Sequence, residues 1–159
     1  MAALVDSLEL LLPDDFHHHL RDGDVLPEIV KHAARSFGRL IAMPNIKPPV
    51  RTLEEAQAYH SRIMAHADSS SFQALMTLYL TDATTREEIV RAHASGLVHA
   101  CKLYPAGATT NSEFGVTDIA KVKPALAAMA EVGLPLLVHG EVVDTAVDVF
   151  DREKVGCWN

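Results

Sequence analysis

The sequence has few cysteines, less basic than acidic charge and no long hydrophobic run. Its two cysteines, Cys101 and Cys157, provide no disulfide framework and indicate a reducing compartment. Fourteen Lys and Arg residues stand against 21 Asp and Glu, and the resulting net charge of −7 argues against a nucleic-acid partner. No apolar run approaches the roughly 20 residues of a membrane span, so no membrane partner is expected either.

The N-terminal stretch "MAALVDSLELLLPDD" also lacks basic residues, since the first arginine is Arg21 and no lysine precedes it. Secretory and organellar presequences usually carry positive charge early. A cytoplasmic protein is therefore the default prediction, and a presequence that was removed earlier stays open as the alternative.

The sequence contains neither a G-x-G-x-x-G motif after its first strand-like run nor a P-loop, so no nucleotide-binding fingerprint is present. Instead, strand-like and helical stretches alternate. The predicted strands are 15–20, 39–45, 72–80, 98–105 and 135–141, and the predicted helices are 25–37, 52–67, 85–96, one ending at Gly133, and 145–154. This alternation predicts parallel βαβ units. A doubly wound open sheet and a (β/α) barrel both fit, with five of the eight barrel strands supplied.

The run "DDFHHHLRDGD" places three consecutive histidines at the end of the first predicted strand. Strand alternation puts His17, His19 and Arg21 on one face and His18 on the other, where it is expected to pack against a helix. Two imidazoles with this spacing can bind one divalent metal ion, because neutral imidazole is a common zinc ligand. For an isolated pair, however, a solvated histidine-rich strand end is the favoured alternative.

Two later residues could join this pair. His139 ends the apolar run "PLLVH", and in a barrel the ends of the first and fifth strands open on the same mouth. A core histidine bonded to a backbone carbonyl is the alternative. Lys102 lies inside the apolar run "HACKLYP", where burial would favour a neutral amine that can react with CO2 to give a metal-bridging carbamate. A lysine that reaches solvent or pairs with an acid fits equally well.

Polar residues at the same predicted edge could bind a substrate. Arg21 and Asn45 together suit a carboxylate, although a surface ion pair and a turn residue are the respective alternatives. The loop "AGATTNSEFG" could close over the substrate with the hydroxyls of Thr109 and Thr110. Composition alone favours an ordinary loop.

Six motifs follow one another in order: "PDDFHHHLRDGD", "MPNIKPPV", "LMTLYLTD", "KLYPAGATTNSEFGVTD", "LPLLVHGE" and "VFDRE". Together they resemble the single-function dihydroorotases of bacteria and plants, in the amidohydrolase superfamily. The resemblance extends from about Asp14 to Lys154. It implies an α/β fold, a (β/α)8 TIM-type barrel of the metal-dependent hydrolase kind, truncated to its first five β/α units.

The resemblance also implies a two-zinc centre. His17 and His19 would bind the more buried zinc ion, Lys102 would bridge both ions as its carbamate, and His139 would bind the second. The usual motif has an apolar residue where this chain has His18. Because that position faces away from the ligands, we expect the site to tolerate it.

The implied reaction is the reversible hydrolysis of dihydroorotate to N-carbamoyl-aspartate in pyrimidine synthesis. The implied substrate-binding residues are Arg21, Asn45, Thr109, Thr110 and His139. A homodimer is expected for the full-length protein, and an organellar location becomes the alternative if the relative is of the plant type. Another cyclic amidohydrolase, such as a hydantoinase or allantoinase, and a non-catalytic fragment are the rival functions.

The chain departs from the family pattern at its end. Family members continue past "FDRE" and carry a further metal histidine and an aspartate that shuttles protons. We therefore expect residues 1–159 to be a partial barrel catalytic domain that is inactive alone. The tail 155–159, "VGCWN", does not resemble the family's continuation, and our hypothesis is an unspliced intron or a mispredicted gene end.

Overall fold

Five strands and four helices alternate along residues 9–68 and 71–141, the part of the chain that the computed structural model describes. The strands are β1 (Asp14–His18), β2 (Arg39–Ala42), β3 (Gln73–Leu80), β4 (Val98–Leu103) and β5 (Leu136–Val138). The helices are α1 (Leu26–Ser36), which a 3-10 turn (Gly23–Val25) precedes, α2 (Leu53–Met64), α3 (Arg86–Ala94) and α4 (Ile119–Val132). All five predicted strands are present.

The strands form one parallel sheet in the order β1-β2-β3-β4-β5. A doubly wound open sheet reverses its strand order at a switch point, whereas a barrel adds each new strand beside the previous one. The observed order has no reversal, and it therefore decides between the two predicted architectures. The structure is a parallel half-barrel with its helices outside.

The hydrophobic core lies between the sheet and the helices. On β3 and β4, Leu78, Leu80, Cys101 and Leu103 belong to this core together with residues of α2, α3 and α4. Successive strand residues point to opposite faces, so Lys102 points to the inner face of the half-barrel. In register it lies between Tyr79 of β3 and Leu137 of β5.

The helix ends follow the predicted signals. Thr52 and Glu55 form a reciprocal capping box at the start of α2, as predicted. Thr85 likewise accepts a hydrogen bond from the Glu88 backbone N–H. The carboxylate of Glu88, however, accepts from the backbone N–H of Leu53 at 2.6 Å, so this second box is only half formed. Gly133 ends α4 with a φ of 74°, which glycine adopts without strain.

Four strands are shorter than predicted at their carboxyl ends. β1 ends at His18, β2 at Ala42, β4 at Leu103 and β5 at Val138. The predicted helix 145–154 and the tail 155–159 lie outside the described residues. Within the described ranges, no helix is both long and apolar enough to cross a membrane.

Replacing Thr52 by alanine should lower the free energy of unfolding by about 1 kcal/mol, because the first turn of α2 loses the hydroxyl that accepts from the Glu55 N–H. Urea denaturation followed by circular dichroism measures this change. Thr52→Ser retains the hydroxyl and should stay within a few tenths of a kcal/mol of the parent. Equal losses in both variants would contradict a capping role.

Candidate metal and substrate site

His17 and His19 converge at the carboxyl end of β1. Their ring centroids are 5.2 Å apart, and their two Nε2 atoms approach to 3.3 Å. The predicted pairing of these imidazoles on one side of the chain is therefore confirmed. His17 is exposed and His19 is half-buried, so the pair lies at the mouth of the half-barrel.

Both imidazoles are held in the neutral form that a metal ion requires. Burial is the largest cause that lowers the pKa of His19, to about 4, and the positive charge of Arg21 adds to the effect. Burial also lowers the pKa of His17, followed by the positive charge of Lys102. Both imidazoles are therefore neutral at neutral pH, which is the form in which imidazole can act as a ligand.

His18 lies away from this pair, as predicted. Its Nδ1 lies 2.7 Å from a carboxylate oxygen of Asp15, and its ring meets the edge of Phe37 at 6.1 Å between centroids. Phe37 directly follows α1, so His18 packs on the helix side of the strand. The middle histidine of the run therefore belongs to the packing of β1 and not to the His17–His19 pair.

Lys102 is buried on the inner face of β4, with 4% of its surface exposed. Burial lowers the pKa of its amine, and Nζ lies 5.3 Å from the centre of the Tyr104 ring. Among the described residues, no carboxylate forms an ion pair with it. Within the described residues, the Lys102 side chain therefore neither reaches solvent nor pairs with an acid, which were the two alternatives.

His139 directly follows β5. Its backbone N–H donates to the Leu103 carbonyl at 2.9 Å, its ring lies 6.0 Å from the ring of Tyr104, and its Nε2 lies 2.8 Å from a carboxylate oxygen of Glu141. The described residues gather no three His, Cys, Asp or Glu side chains into one metal-binding group. The assignment of His139 as a ligand therefore stays a prediction.

Arg21 lies at the site, but strand alternation, on which its prediction was based, does not place it there. β1 ends at His18, and Arg21 has a left-handed φ of 62°, so strand alternation does not orient it. Its backbone carbonyl accepts a hydrogen bond of 2.5 Å from the buried Tyr59 hydroxyl. Arg21 still lies near enough to His19 for its charge to lower that histidine's pKa, so it borders the same mouth.

Asn45 is buried and linked to the loop that was predicted to cover the site. Its Nδ2 donates to the Thr110 carbonyl, and its own carbonyl accepts from Nδ2 of Asn111, both at 2.9 Å. Its Oδ1 is buried, and within residues 9–68 and 71–141 it has no hydrogen-bond partner. Thr109 donates its backbone N–H to the Ser112 hydroxyl, so both threonines use backbone groups in these bonds. The loop residues are therefore held at the mouth, next to Asn45.

Two tyrosines and Asn111 complete this network, and none of the three is among the predicted site residues, although strand alternation places Tyr104 on the face of Lys102. The Tyr79 hydroxyl donates to the Asn111 carbonyl at 3.1 Å, and the rings of Tyr79 and Tyr104 lie 5.1 Å apart. The Tyr104 hydroxyl is buried and has no hydrogen-bond partner in the part of the chain that the structure describes. Asn111 adopts a φ of 54°, a left-handed conformation in which asparagine is enriched. Strand alternation puts Tyr79 on the face opposite the core residues Leu78 and Leu80, and the register of β3 and β4 then pairs it with Lys102.

Comparisons with known proteins agree on one family. The chain is 63% identical to the dihydroorotase of Pseudomonas fluorescens (strain SBW25) over 151 residues, which cover 94% of this chain and 43% of that protein. It is 58% identical to the dihydroorotase of Ralstonia nicotianae over 153 residues, covering 96% and 44%. The chain thus spans under half the length of these relatives. No family model matches it.

Solved structures give the same result. The crystal structure of a dihydroorotase from Campylobacter jejuni matches with a TM-score of 0.82 at 39% identity, over 98% of this chain and 45% of that one. A dihydroorotase from Saccharomyces cerevisiae, in complex with 5-fluoroorotic acid, matches with a TM-score of 0.77 at 31% identity, over 91% and 42%. An L-hydantoinase from Arthrobacter aurescens shares the fold at 19% identity and a TM-score of 0.65.

The sequential parallel sheet, the histidine pair at its carboxyl edge and the buried lysine on its inner face define a half-barrel of the TIM-type amidohydrolase class. Within that class, the dihydroorotases match nearly the whole chain at far higher identity than the hydantoinase does. The chain belongs to the dihydroorotase family and corresponds to the N-terminal part of its members.

The low pKa of His19 predicts acid sensitivity. Its pKa is about 4 in the folded chain, against 6.5 for an ordinary histidine, so the unfolded state binds the proton more readily. The contribution of His19 to the free energy of unfolding is therefore fully present above pH 6.5. It is lost as the pH falls towards 4, by about 1–2 kcal/mol for this partly exposed group. His19→Asn should flatten the decline in urea denaturation series, and the exposed control His99→Asn should not. Parallel curves for His19→Asn and the parent would contradict this account.

Replacing Lys102 by methionine should stabilise the chain at neutral pH by about 1–3 kcal/mol, because a buried amine that pairs with no described carboxylate is exchanged for an apolar side chain. Since the folded pKa is lowered, the unfolded state binds more protons, and the parent gains stability as the pH rises. The difference between parent and variant should therefore narrow towards pH 10 in thermal unfolding. Lys123→Met, at an exposed position of α4, is the control and should show no such pH dependence. A destabilised Lys102→Met would mean that the amine has a stabilising partner.

Proposed function

We propose that the complete protein is a dihydroorotase, which reversibly hydrolyses the ring amide of dihydroorotate to N-carbamoyl-aspartate in pyrimidine synthesis. The observation that carries this proposal is the buried Lys102, for which the described residues provide no ion pair. It lies near enough to the His17–His19 pair for its charge to lower the pKa of both histidines. An uncompensated lysine inside a barrel is costly, and a site that uses its neutral amine gives a reason for it.

The ligand atoms fit a zinc ion. Two nitrogens that each lie about 2.0–2.1 Å from a tetrahedral zinc ion are about 3.3–3.4 Å apart, and the Nε2 atoms of His17 and His19 are 3.3 Å apart. A neutral Lys102 amine can attack CO2, forming an N–C bond and releasing one proton, and the carbamate adds an anionic oxygen ligand. His139 completes the proposed set once its Nε2 leaves Glu141.

Two zinc ions, when bound, would polarise the scissile carbonyl and activate water. The residues of this chain would bind and orient the substrate. Arg21 offers a guanidinium to the substrate carboxylate, and the buried Asn45 offers its carboxamide. Thr109 and Thr110 belong to the loop next to Asn45 and would help to exclude water from the mouth. His139 would border the substrate as well as the second zinc ion.

We further propose that the full-length protein is a cytoplasmic homodimer that acts on a small molecule and binds no nucleic acid. The net charge of −7 supports the last point. We also propose that residues 1–159 are a partial barrel catalytic domain with an atypical tail at 155–159. These 159 residues alone would turn over no substrate, because the barrel and its ligand set are shared with a further part of the family's chain.

The test is a chimera of residues 1–154 with the remaining part of the Pseudomonas fluorescens dihydroorotase, supplied with zinc and bicarbonate. We expect ring opening of dihydroorotate and none of hydantoin or allantoin, with a loss of about 1000-fold or more for Lys102→Ala. The chimera with Lys123→Ala should keep its activity. A soluble, zinc-loaded chimera that opens hydantoin, or that ignores Lys102→Ala, would refute the proposal. Turnover by the 159 residues alone would refute the claim that they are inactive.

A further inference from the structure

The turn after β1 carries Arg21 in an uncommon backbone conformation. Arg21 has a φ of 62° and Gly23 a φ of 69°, both left-handed, and the extended residue Asp22 lies between them. Glycine adopts the left-handed conformation freely, whereas a residue with a side chain keeps it only where its surroundings hold it there. The conformation of Arg21 therefore depends on contacts from outside the turn.

Packing alone does not supply these contacts. Leu20, which precedes the turn, is fully buried in the core. A cavity of about 540 Å³ adjoins the turn, however, and its lining includes Arg21, Asp22, Gly23 and, from the segment after β2, Lys47. Part of the surface of the turn therefore faces open space, where no side chain packs against it.

The hydrogen bonds that hold the turn come from α2. Tyr59 is fully buried, and its hydroxyl donates to the Arg21 carbonyl at 2.5 Å. Three residues further along α2, the guanidinium of Arg62 donates to both carboxylate oxygens of Asp22, at 3.1 and 2.6 Å, and lies 5.4 Å from the centre of the Tyr59 ring. Asp22 in turn accepts from the Gly23 backbone N–H at 2.9 Å. One helix thus fixes two adjacent residues of the turn.

The two contacts from α2 differ in strength. Arg62 and Asp22 have 45% and 21% of their side-chain surfaces exposed, and an ion pair in such a place contributes little to stability. The Tyr59 hydroxyl is buried, so it would lose its acceptor without gaining water if the turn moved away. A buried donor without an acceptor is costly, and the Tyr59 bond is therefore the stronger constraint on the turn.

We propose that Tyr59 is a positioning residue for Arg21, which it holds through the backbone carbonyl, and that Arg62 supports the same turn through Asp22. Neither residue of α2 has to touch a substrate. Arg21 itself is exposed, so the direction from which its guanidinium approaches a carboxylate depends on where its backbone is fixed. The binding of a substrate carboxylate by Arg21 rests on the proposed function, whereas the positioning of its backbone rests on the hydrogen bonds from α2.

The first experiment measures the backbone chemical shifts of residues 20–24 in the 159-residue chain. Tyr59→Phe keeps the ring and removes only the hydroxyl, and we expect the carbon shifts of Arg21 to move away from those of a left-handed residue. Tyr79→Phe is the matched control, because it removes another hydroxyl that donates to a backbone carbonyl, that of Asn111. The control should leave the Arg21 shifts unchanged. Unchanged Arg21 shifts in Tyr59→Phe, or equal changes in both variants, would overturn the proposal.

The second experiment is a double-mutant cycle in the chimera described above. Tyr59→Phe should raise the KM for dihydroorotate about three- to tenfold, as for one lost hydrogen bond, with a smaller change in kcat. Because Tyr59 acts through Arg21, Tyr59→Phe should raise KM no further once Arg21→Ala is present. Arg62→Gln should raise KM about two- to fivefold. Arg86→Gln, which removes a similar pair with Glu131 of α4, should leave KM unchanged.

Additive effects of Tyr59→Phe and Arg21→Ala on KM would reject a role of Tyr59 through Arg21. If Tyr59→Phe does not fold, Arg62→Gln takes its place in both experiments, with Arg86→Gln as its control. An inactive chimera would reject the proposed function, and the chemical shifts would still decide whether α2 positions Arg21. An active chimera whose KM responds to neither α2 variant would reject the positioning role only.

Discussion

The burial of one amine constrains the inner face of this half-barrel. Lys102 lies in register between Tyr79 and Leu137, and its charge reaches both histidines of the mouth. A charged amine in that place opposes folding, so the site is built at the expense of stability. Desolvation is the largest cause that lowers the pKa of the lysine and that of His19, so the same burial disfavours the charged form of both groups.

Around that centre, the site depends on hydrogen bonds between segments that are distant in sequence. Asn45 and the loop residues Thr110 and Asn111 exchange two hydrogen bonds, and Tyr79 adds a third from the floor of the site. The Nδ2 atom of Asn45, which would serve a substrate carboxylate, already donates to the loop. Movement of the loop and exposure of the carboxamide are therefore linked, and the position of one sets the availability of the other.

Much of this architecture could be predicted from the sequence, because local signals agreed with the fold. Thr52 and Gly133 mark helix ends through their own backbone chemistry, and strand alternation placed His17 and His19 together. Alternation failed at Arg21, since the strand ends earlier and a left-handed residue reorients the chain there. Strand order, Asn111 and the cavity beside Lys47 depend on contacts between distant segments, which no local pattern encodes.

The carboxylate of Glu88 links two neighbouring β/α units. It belongs to α3, yet it accepts from the Leu53 backbone N–H at the first turn of α2, while Arg91 of α3 pairs with Glu54 of α2. The N-terminus of one helix is thus completed by the side chain of the next. The first turn of α2 cannot fray without exposing a backbone donor that α3 satisfies, so local opening of one unit is felt by the other. In an architecture assembled from repeated units, such shared caps give successive units a common stability.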